Sequence, residues 1–150
     1  MKFLTRRLTA GDRDSASKLF DLVTAVFAEE RGQLSDTYID RLLGRDDFWA
    51  IAAFMNDDVV GGVTAHTLPM TKAEFSEVFI YDFAVRQDLQ RRGIGRQLMA
   101  SLREAIGAAG IRSIFVAADD EDVHALEFYR ALGGSPGPVT IFSFSTAALT

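Results

Sequence analysis

An aspartate, Asp82, interrupts the apolar run Val78-Phe79-Ile80-Tyr81-Asp82-Phe83-Ala84-Val85, and a basic, glycine-bearing turn follows: Arg86-Gln87-Asp88-Leu89-Gln90-Arg91-Arg92-Gly93-Ile94-Gly95-Arg96. The run has the composition of a strand. After it, Ile94, Leu98, Leu102, Ala105, Ile106 and Ala109 recur at helical spacing, with Gly110 as the stop. A strand feeding a helix through such a turn is a phosphate cradle. The first backbone N–H groups of the helix have no intrahelical partner and point outward at the positive end of the dipole, so a pyrophosphate can rest on them. Gly93 and Gly95 remove side chains that would block its approach. Gln90, Arg91, Arg92, Gly93, Ile94, Gly95 and Arg96 are the candidate binding residues, mostly through main chain; each arginine either meets the phosphates or solvates the turn. The dinucleotide fingerprint is excluded, because Leu98 stands where its third glycine belongs, and no Gly-Lys-Ser/Thr run supplies a nucleoside triphosphatase loop.

Asp82 is costly in an apolar strand unless it is paired or put to use. By simple alternation 79, 81, 83 and 85 share one face and 78, 80, 82 and 84 the other, and only Asp82 and the tip of Tyr81 are polar. Its functional reading is a general base acting directly or through a water; the other reading is a structural ion pair or a cap on a nearby loop. Glu77, at the strand's start, is a second candidate base or a solvated edge carboxylate. His66 has a suitable ordinary pKa, but a lone histidine in a hairpin strand is more often simply hydrogen-bonded.

The pattern Gln90-x-x-Gly93-x-Gly95 between strand and helix resembles the coenzyme A pyrophosphate motif of the GCN5-related N-acetyltransferase (GNAT) family. Downstream, Ala125-x-x-Phe128-Tyr129-x-x-Leu132-Gly133 resembles that family's second signature, whose tyrosine faces the coenzyme sulfur. The resemblance goes further, to the aminoglycoside 3-N-acetyltransferases, from about Phe48 to Gly133. It runs through Ala52-Ala53-Phe54, Val59-Val60-Gly61, Leu68-Pro69, Ser76-Glu77 and Ile80-Tyr81-Asp82-x-Ala84-Val85.

This resemblance implies acetyl-CoA as cofactor, with its pantetheine arm paired to Phe83-Ala84-Val85 in the gap between two splayed parallel strands. It implies Asp82 near the acceptor amine, Val85 N–H at the developing oxyanion and Tyr129 as general acid toward the thiolate, whose thiol pKa is roughly 8 to 9. A base is needed because an aminocyclitol amine is largely protonated at neutral pH and only its free form attacks a thioester. Without the resemblance, Phe128 and Tyr129 read as ordinary core packing. Two positions depart from the pattern. Asp122 stands where many members have asparagine, and residues 140–145 lack the acidic residue that the aminoglycoside enzymes carry in their last strand.

The composition, 48% hydrophobic and 25% charged, fits one domain over residues 1–150, able to bury about two-thirds of its unfolded surface. Apolar runs fall short of a membrane span and residues 1–7 lack a signal peptide's apolar core, so a cytoplasmic, membrane-free protein is expected. The absence of cysteine excludes disulfides, thiolate metal sites and a cysteine nucleophile, and the two histidines have no ligand-like spacing, so no metal is expected. A net charge of -5 and pI near 5.0 argue against nucleic acid and suit a cationic small molecule. The acidic run Asp119-Asp120-Glu121-Asp122, with Glu29 and Glu30, is a candidate anionic lip for such an acceptor, or a solvated face that also serves the next helix's N-terminus.

To position these residues the chain must supply a strand within 2–8, a helix from about Asp14 to Glu30, a helix capped by Ser35 through Tyr38, Leu42 and Leu43 to Gly44, and a hairpin (48–54 and 59–68). The strand at 78–85, the helix after Gly93, a strand within 111–118, the tyrosine helix and a last strand at 139–144 follow. The expected fold is α/β: the GNAT fold, a mixed, mostly antiparallel central sheet with splayed parallel strands, flanked by helices. The expected activity is acetyl transfer to a primary amine of a small polycation, foremost the 3-amino group of an aminoglycoside, hence resistance. The alternatives are a polyamine-like metabolite or a peptide amine, or a non-catalytic acyl-CoA-binding module. Family members often dimerise, but the sequence assigns no face to a homodimer.

Overall fold

A computed structural model describes residues 2–27 and 32–147. In chain order it contains β1 (Leu4–Arg7), α1 (Arg13–Val26), α2 (Asp36–Leu43), β2 (Phe48–Met55), β3 (Asp58–Pro69), β4 (Ser76–Val85), a 3-10 turn (Gln87–Leu89), α3 (Ile94–Ala108), β5 (Ser113–Val116) and α4 (Val123–Ala131). The chain divides into two compact units, Met1–Ala117 and Ala118–Thr150. The first carries the sheet and three helices. None of the described helices is long and apolar enough to cross a membrane.

The sheet runs β1-β2-β3-β4-β5, antiparallel except for the last pair. This is the mixed sheet expected of the GNAT fold. The parallel β4–β5 ladder covers only Glu77↔Ser113 to Ile80↔Val116, while β4 continues to Val85. The two strands therefore part beyond Ile80.

One face of the sheet packs on α1 and α2, where Leu8, Ala16, Leu19, Val23, Ile39, Leu43, Phe48, Ala50, Ala52 and Ala84 form one buried cluster. The other face meets the buried stripe Ile94, Leu98, Leu102 and Ile106 of α3. β3 is sandwiched between helices, and two glycines admit them. A Cβ on Gly62 would stand 2.2 Å from Leu19 Cδ1, and one on Gly61 3.4 Å from Ile94 Cγ2 and Leu98 Cδ1. A side chain at Gly62 would collide with Leu19 of α1 and stand 2.9 Å from the Ile51 carbonyl oxygen.

Local signals place most boundaries. Ser35 caps α2 by accepting a hydrogen bond from Tyr38 N at 3.1 Å, and Gly110, at φ 81, follows the end of α3. Asn56, at φ 55, turns the β2–β3 hairpin.

Four expectations need correction. Helix α1 ends at Val26 with Phe27 as its C-cap, and the expected end at Glu30 lies outside the described residues. Tyr38 points to solvent, and α2 buries Ile39 together with the expected Leu43. Only Ser113–Val116 of the 111–118 run is strand. The expected last strand at 139–144 is absent: residues 134–145 carry no strand or helix, and Val139, Ile141, Phe142 and Phe144 are exposed. A strand exists only as half of a ladder, and among the described residues this segment pairs with none.

Candidate active site

The β3–β4 ladder contains an irregularity that decides where Asp82 points. Thr64 lies opposite Asp82 and Ala65 opposite Ile80, so Tyr81 is an extra residue with no partner on β3. This is a β-bulge, and it breaks the alternation the sequence suggests. Below it, Val78 and Ile80 share the α3 face. Above it, Asp82 and Ala84 fall on the α1 face, as the place of Ala84 in the α1–α2 cluster shows. Without the bulge Asp82 would be driven under α3; with it the carboxylate is half-buried beside α1, and Tyr81 swings out to 69% exposure.

Asp82 is not alone there. Thr64 Oγ1, buried, donates to Asp82 Oδ2 at 2.6 Å. Sequence reading missed Thr64, which carries no signal of its own in a hairpin strand. His66 lies one pleat further along the same face, across from Phe79, with its ring 5.3 Å from Phe48 and 6.4 Å from Tyr81. Glu77 sits at the far end of the strand, opposite Leu68 and Ser113, separated from Asp82 by the bulge. The structure thus groups Asp82 with Thr64 and His66, and leaves Glu77 apart.

At the top of β4, Arg86 N donates to Val60 O at 2.8 Å. Bonded and non-bonded pairs alternate in an antiparallel ladder, so the adjacent Val85–Gly61 pair is non-bonded. Val85 therefore turns its N–H and C=O away from β3, toward the side that β5 has left, and Phe83 is oriented the same way. Ala84, between them, turns back to β3. The Val85 carbonyl accepts from Gln90 Nε2 at 3.0 Å, which ties the end of the strand to the basic turn. Gln90 thus positions the turn with its side chain.

The turn itself is tightly coiled. Arg91 has φ 63 and Gly93, the N-cap of α3, φ 91. A non-glycine residue in that region is uncommon and costs energy, a feature that gathers at binding sites. Gly93 O accepts from Gln97 N, closing the first turn of the helix. The N–H groups of Ile94, Gly95 and Arg96 precede that bond and lack intrahelical acceptors. Ile94 anchors the helix in the core while Arg91, Arg92 and Arg96 are exposed around it. Donors, dipole and three cations fit a pyrophosphate, and the outward-turned edge of β4 fits an amide-bearing arm.

In the second unit, Asp122 caps α4 by accepting from Ala125 N at 3.1 Å. Asp119, Asp120, Glu121 and Asp122 are all exposed. Tyr129 is half-buried with its ring 5.3 Å from that of Phe128, and its carbonyl accepts from Gly134 N. Burial, and after it the charge of Asp122, pushes the phenol up to about 12. Glu29 and Glu30 lie outside the described residues.

Residues 16–133 match the model of the acetyltransferase (GNAT) family, which spans both units. Among solved structures, an aminoglycoside acetyltransferase named HMB0005, from an uncultured soil metagenomic sample, shares 31% identity over 98% of this chain and 100% of its own, with a TM-score of 0.93. Another from such a sample, meta-AAC0020 in complex with sisomicin, shares 28% over 97% of each chain, with a TM-score of 0.91. AAC(6')-Iy, in complex with the bisubstrate analogue CoA-S-monomethyl-acetylneamine, shares the fold at 16% identity over 98% of this chain and 100% of its own, with a TM-score of 0.81. No curated protein matches the chain. With its family model covering both units, the chain belongs to the GNAT acetyltransferases, enzymes that take their acetyl group from acetyl-CoA.

Proposed function

We propose that this acetyltransferase modifies a primary amine of an aminoglycoside, with the 3-amino group as the leading assignment, by direct attack in a ternary complex. The observation that carries the reading is the convergence on one stretch of β4 of a carboxylate held by Thr64 and a backbone N–H, that of Val85, turned toward the opening between β4 and β5. A base and an oxyanion donor three residues apart are what amide formation from an amine and a thioester needs.

Acetyl-CoA supplies an acetyl group activated as a thioester. In this reading the N–H groups of Ile94, Gly95 and Arg96, with Arg91 and Arg92, hold its pyrophosphate, and Phe83 and Val85 pair with its arm. Asp82 takes the proton that the acceptor amine sheds, and Thr64 keeps the carboxylate turned toward it. The Val85 N–H donates to the reacting carbonyl oxygen. The chain has no cysteine to accept the acetyl group first, which suits direct transfer.

The elevated phenol of Tyr129 narrows its role. Passing a proton from a group near pKa 12 to a thiolate whose thiol has a pKa of roughly 8 to 9 is uphill by about 4 to 5 kcal/mol. A hydrogen bond to the sulfur carries no such penalty. Tyr129 is therefore assigned as a hydrogen-bond donor that remains protonated.

The acceptor class rests on the likeness to the two metagenomic aminoglycoside acetyltransferases and on the acidic chain, with net charge -5. The decisive measurement is acetyl transfer to a panel of aminoglycosides, linear polyamines and peptide amines, with the modified position read by NMR. A product on the 3-amino group establishes the assignment, one on the 6'-amino group corrects the position, and turnover confined to polyamines or peptides rejects the acceptor class.

A further inference from the structure

A row of aromatic rings crosses the sheet beside Asp82. Phe48 of β2 stands opposite His66 of β3, His66 opposite Phe79 of β4, and Phe79 opposite Phe115 of β5, so one rung carries rings across four strands. All of them belong to the first unit. Phe48 is part of the α1–α2 cluster, and cross-strand partners share a face, which puts the rung on the side of the sheet to which the bulge turns Asp82. Phe48 and His66 lie 5.3 Å apart, and Phe79 stacks on Phe115 at 4.8 Å.

Tyr81 stands on this rung. Its ring meets that of His66 at 6.4 Å and that of Phe79 at 6.0 Å, at 89° and 87°, and so is held from two sides on the Asp82 face. In a regular strand residues 81 and 82 would point to opposite faces; as the extra residue of the bulge, Tyr81 shares a face with the carboxylate that follows it. Neither neighbour lies flat against the phenol ring, which stays 69% exposed. A large ring already fixed by its neighbours loses little side-chain freedom when a ligand settles on it.

We propose that Tyr81 is the platform on which the ring of the acceptor rests. The assignment rests on the aminoglycoside reading above and adds a contact that charge alone does not supply. A sugar or aminocyclitol ring brings an apolar C–H face to the phenol, and ammonium groups at its rim that the π-face attracts within about 6 Å. A linear polyamine has the ammonium groups without the face. Because Tyr81 and Asp82 are consecutive residues on one side of the sheet, a ring seated on the first brings its amine to the second.

For the aminoglycoside that the parent acetylates fastest, Tyr81→Ala should raise KM about 10-fold, with kcat within about 3-fold and acetyl-CoA affinity unchanged by calorimetry. Tyr81→Phe should keep the parent KM, while Tyr81→Leu, apolar but without a ring, should behave as Tyr81→Ala does. A parent-like KM in Tyr81→Ala, or a rescue by leucine as full as that by phenylalanine, overturns the platform. The parent chain gives a second readout that no variant's folding can spoil. Tetranitromethane nitrates exposed tyrosines, and saturating acceptor should slow the reaction at Tyr81 but not at Tyr38, 53% exposed on α2. An unchanged rate at Tyr81 overturns the platform as well. The two readings fail separately: a parent that acetylates no aminoglycoside loses the acceptor class and the platform with it, whereas one that acetylates them with Tyr81→Ala its equal loses the platform alone.

Discussion

Thr64 and Asp82 face each other across the β3–β4 ladder, hydroxyl to carboxylate at 2.6 Å, immediately beside the point where Tyr81 is squeezed out of register. The bulge and the hydrogen bond act together: one turns the carboxylate to the α1 face, the other fixes its rotamer. This makes Asp82 an oriented acceptor with a second oxygen left for the substrate.

Replacing Asp82 by Asn should lower kcat by roughly 10² to 10⁴ with little change in acetyl-CoA affinity. Thr64→Val, which keeps the shape and removes the hydroxyl, should cost about 10- to 100-fold, the range of a hydrogen bond to a charged group at about 1.5 to 3 kcal/mol. If both variants turn over as the parent does across pH 6 to 9, the base role passes to His66 or to solvent.

Gly95 lies in the first turn of α3, next to the N–H groups assigned to the pyrophosphate. Gly95→Val should weaken acetyl-CoA binding at least 10-fold by calorimetry while the thermal transition stays cooperative, because a branched side chain blocks the approach that the exposed donors require. Unchanged affinity in the folded variant removes the cradle from the mechanism.

Tyr129 gives a stability prediction at alkaline pH. With a phenol near 12 in the folded chain and roughly 10 in the unfolded one, both states are protonated below pH 10. Between pH 10 and 12 the unfolded chain alone loses the proton, so folding should weaken across that window by about 2 to 3 kcal/mol. Urea unfolding of Tyr129→Phe should lose this component relative to the parent, and its kcat should fall by about 10-fold from the missing donor to sulfur. Parallel stability profiles for the two proteins would show that the phenol is not desolvated.

The exposed run Asp119-Asp120-Glu121 should act on the acceptor and not on the coenzyme. Asp120→Asn with Glu121→Gln should raise KM more for a tetra-amine than for a mono-amine at low salt, with kcat nearly kept. Salt should erase the difference, since exposed charges are screened over about 8 to 10 Å at 0.1 to 0.15 M. Equal KM changes for both acceptors would reduce the run to a solvated loop around the cap made by Asp122.

Much of the candidate site is legible in the sequence because its signals are local. A helix start needs donors without acceptors, a glycine that tolerates positive φ and cations nearby, and Arg91 to Arg96 show all three in consecutive residues. The Ser35 cap and the Gly110 stop belong to the same class: each is decided within one turn of backbone. The direction of the Asp82 side chain is different. A strand read alone alternates with period two, and only its register against β3 reveals that Tyr81 is supernumerary and that everything above it changes face. The pairing with Thr64, the close approach of Leu19 to Gly62 and the outward turn of the Val85 N–H depend on that same long-range register. The segment 139–144 makes the converse point: its residues have every local preference of a strand, yet a strand requires a neighbour to hydrogen-bond, and no stretch of sequence contains its own neighbour.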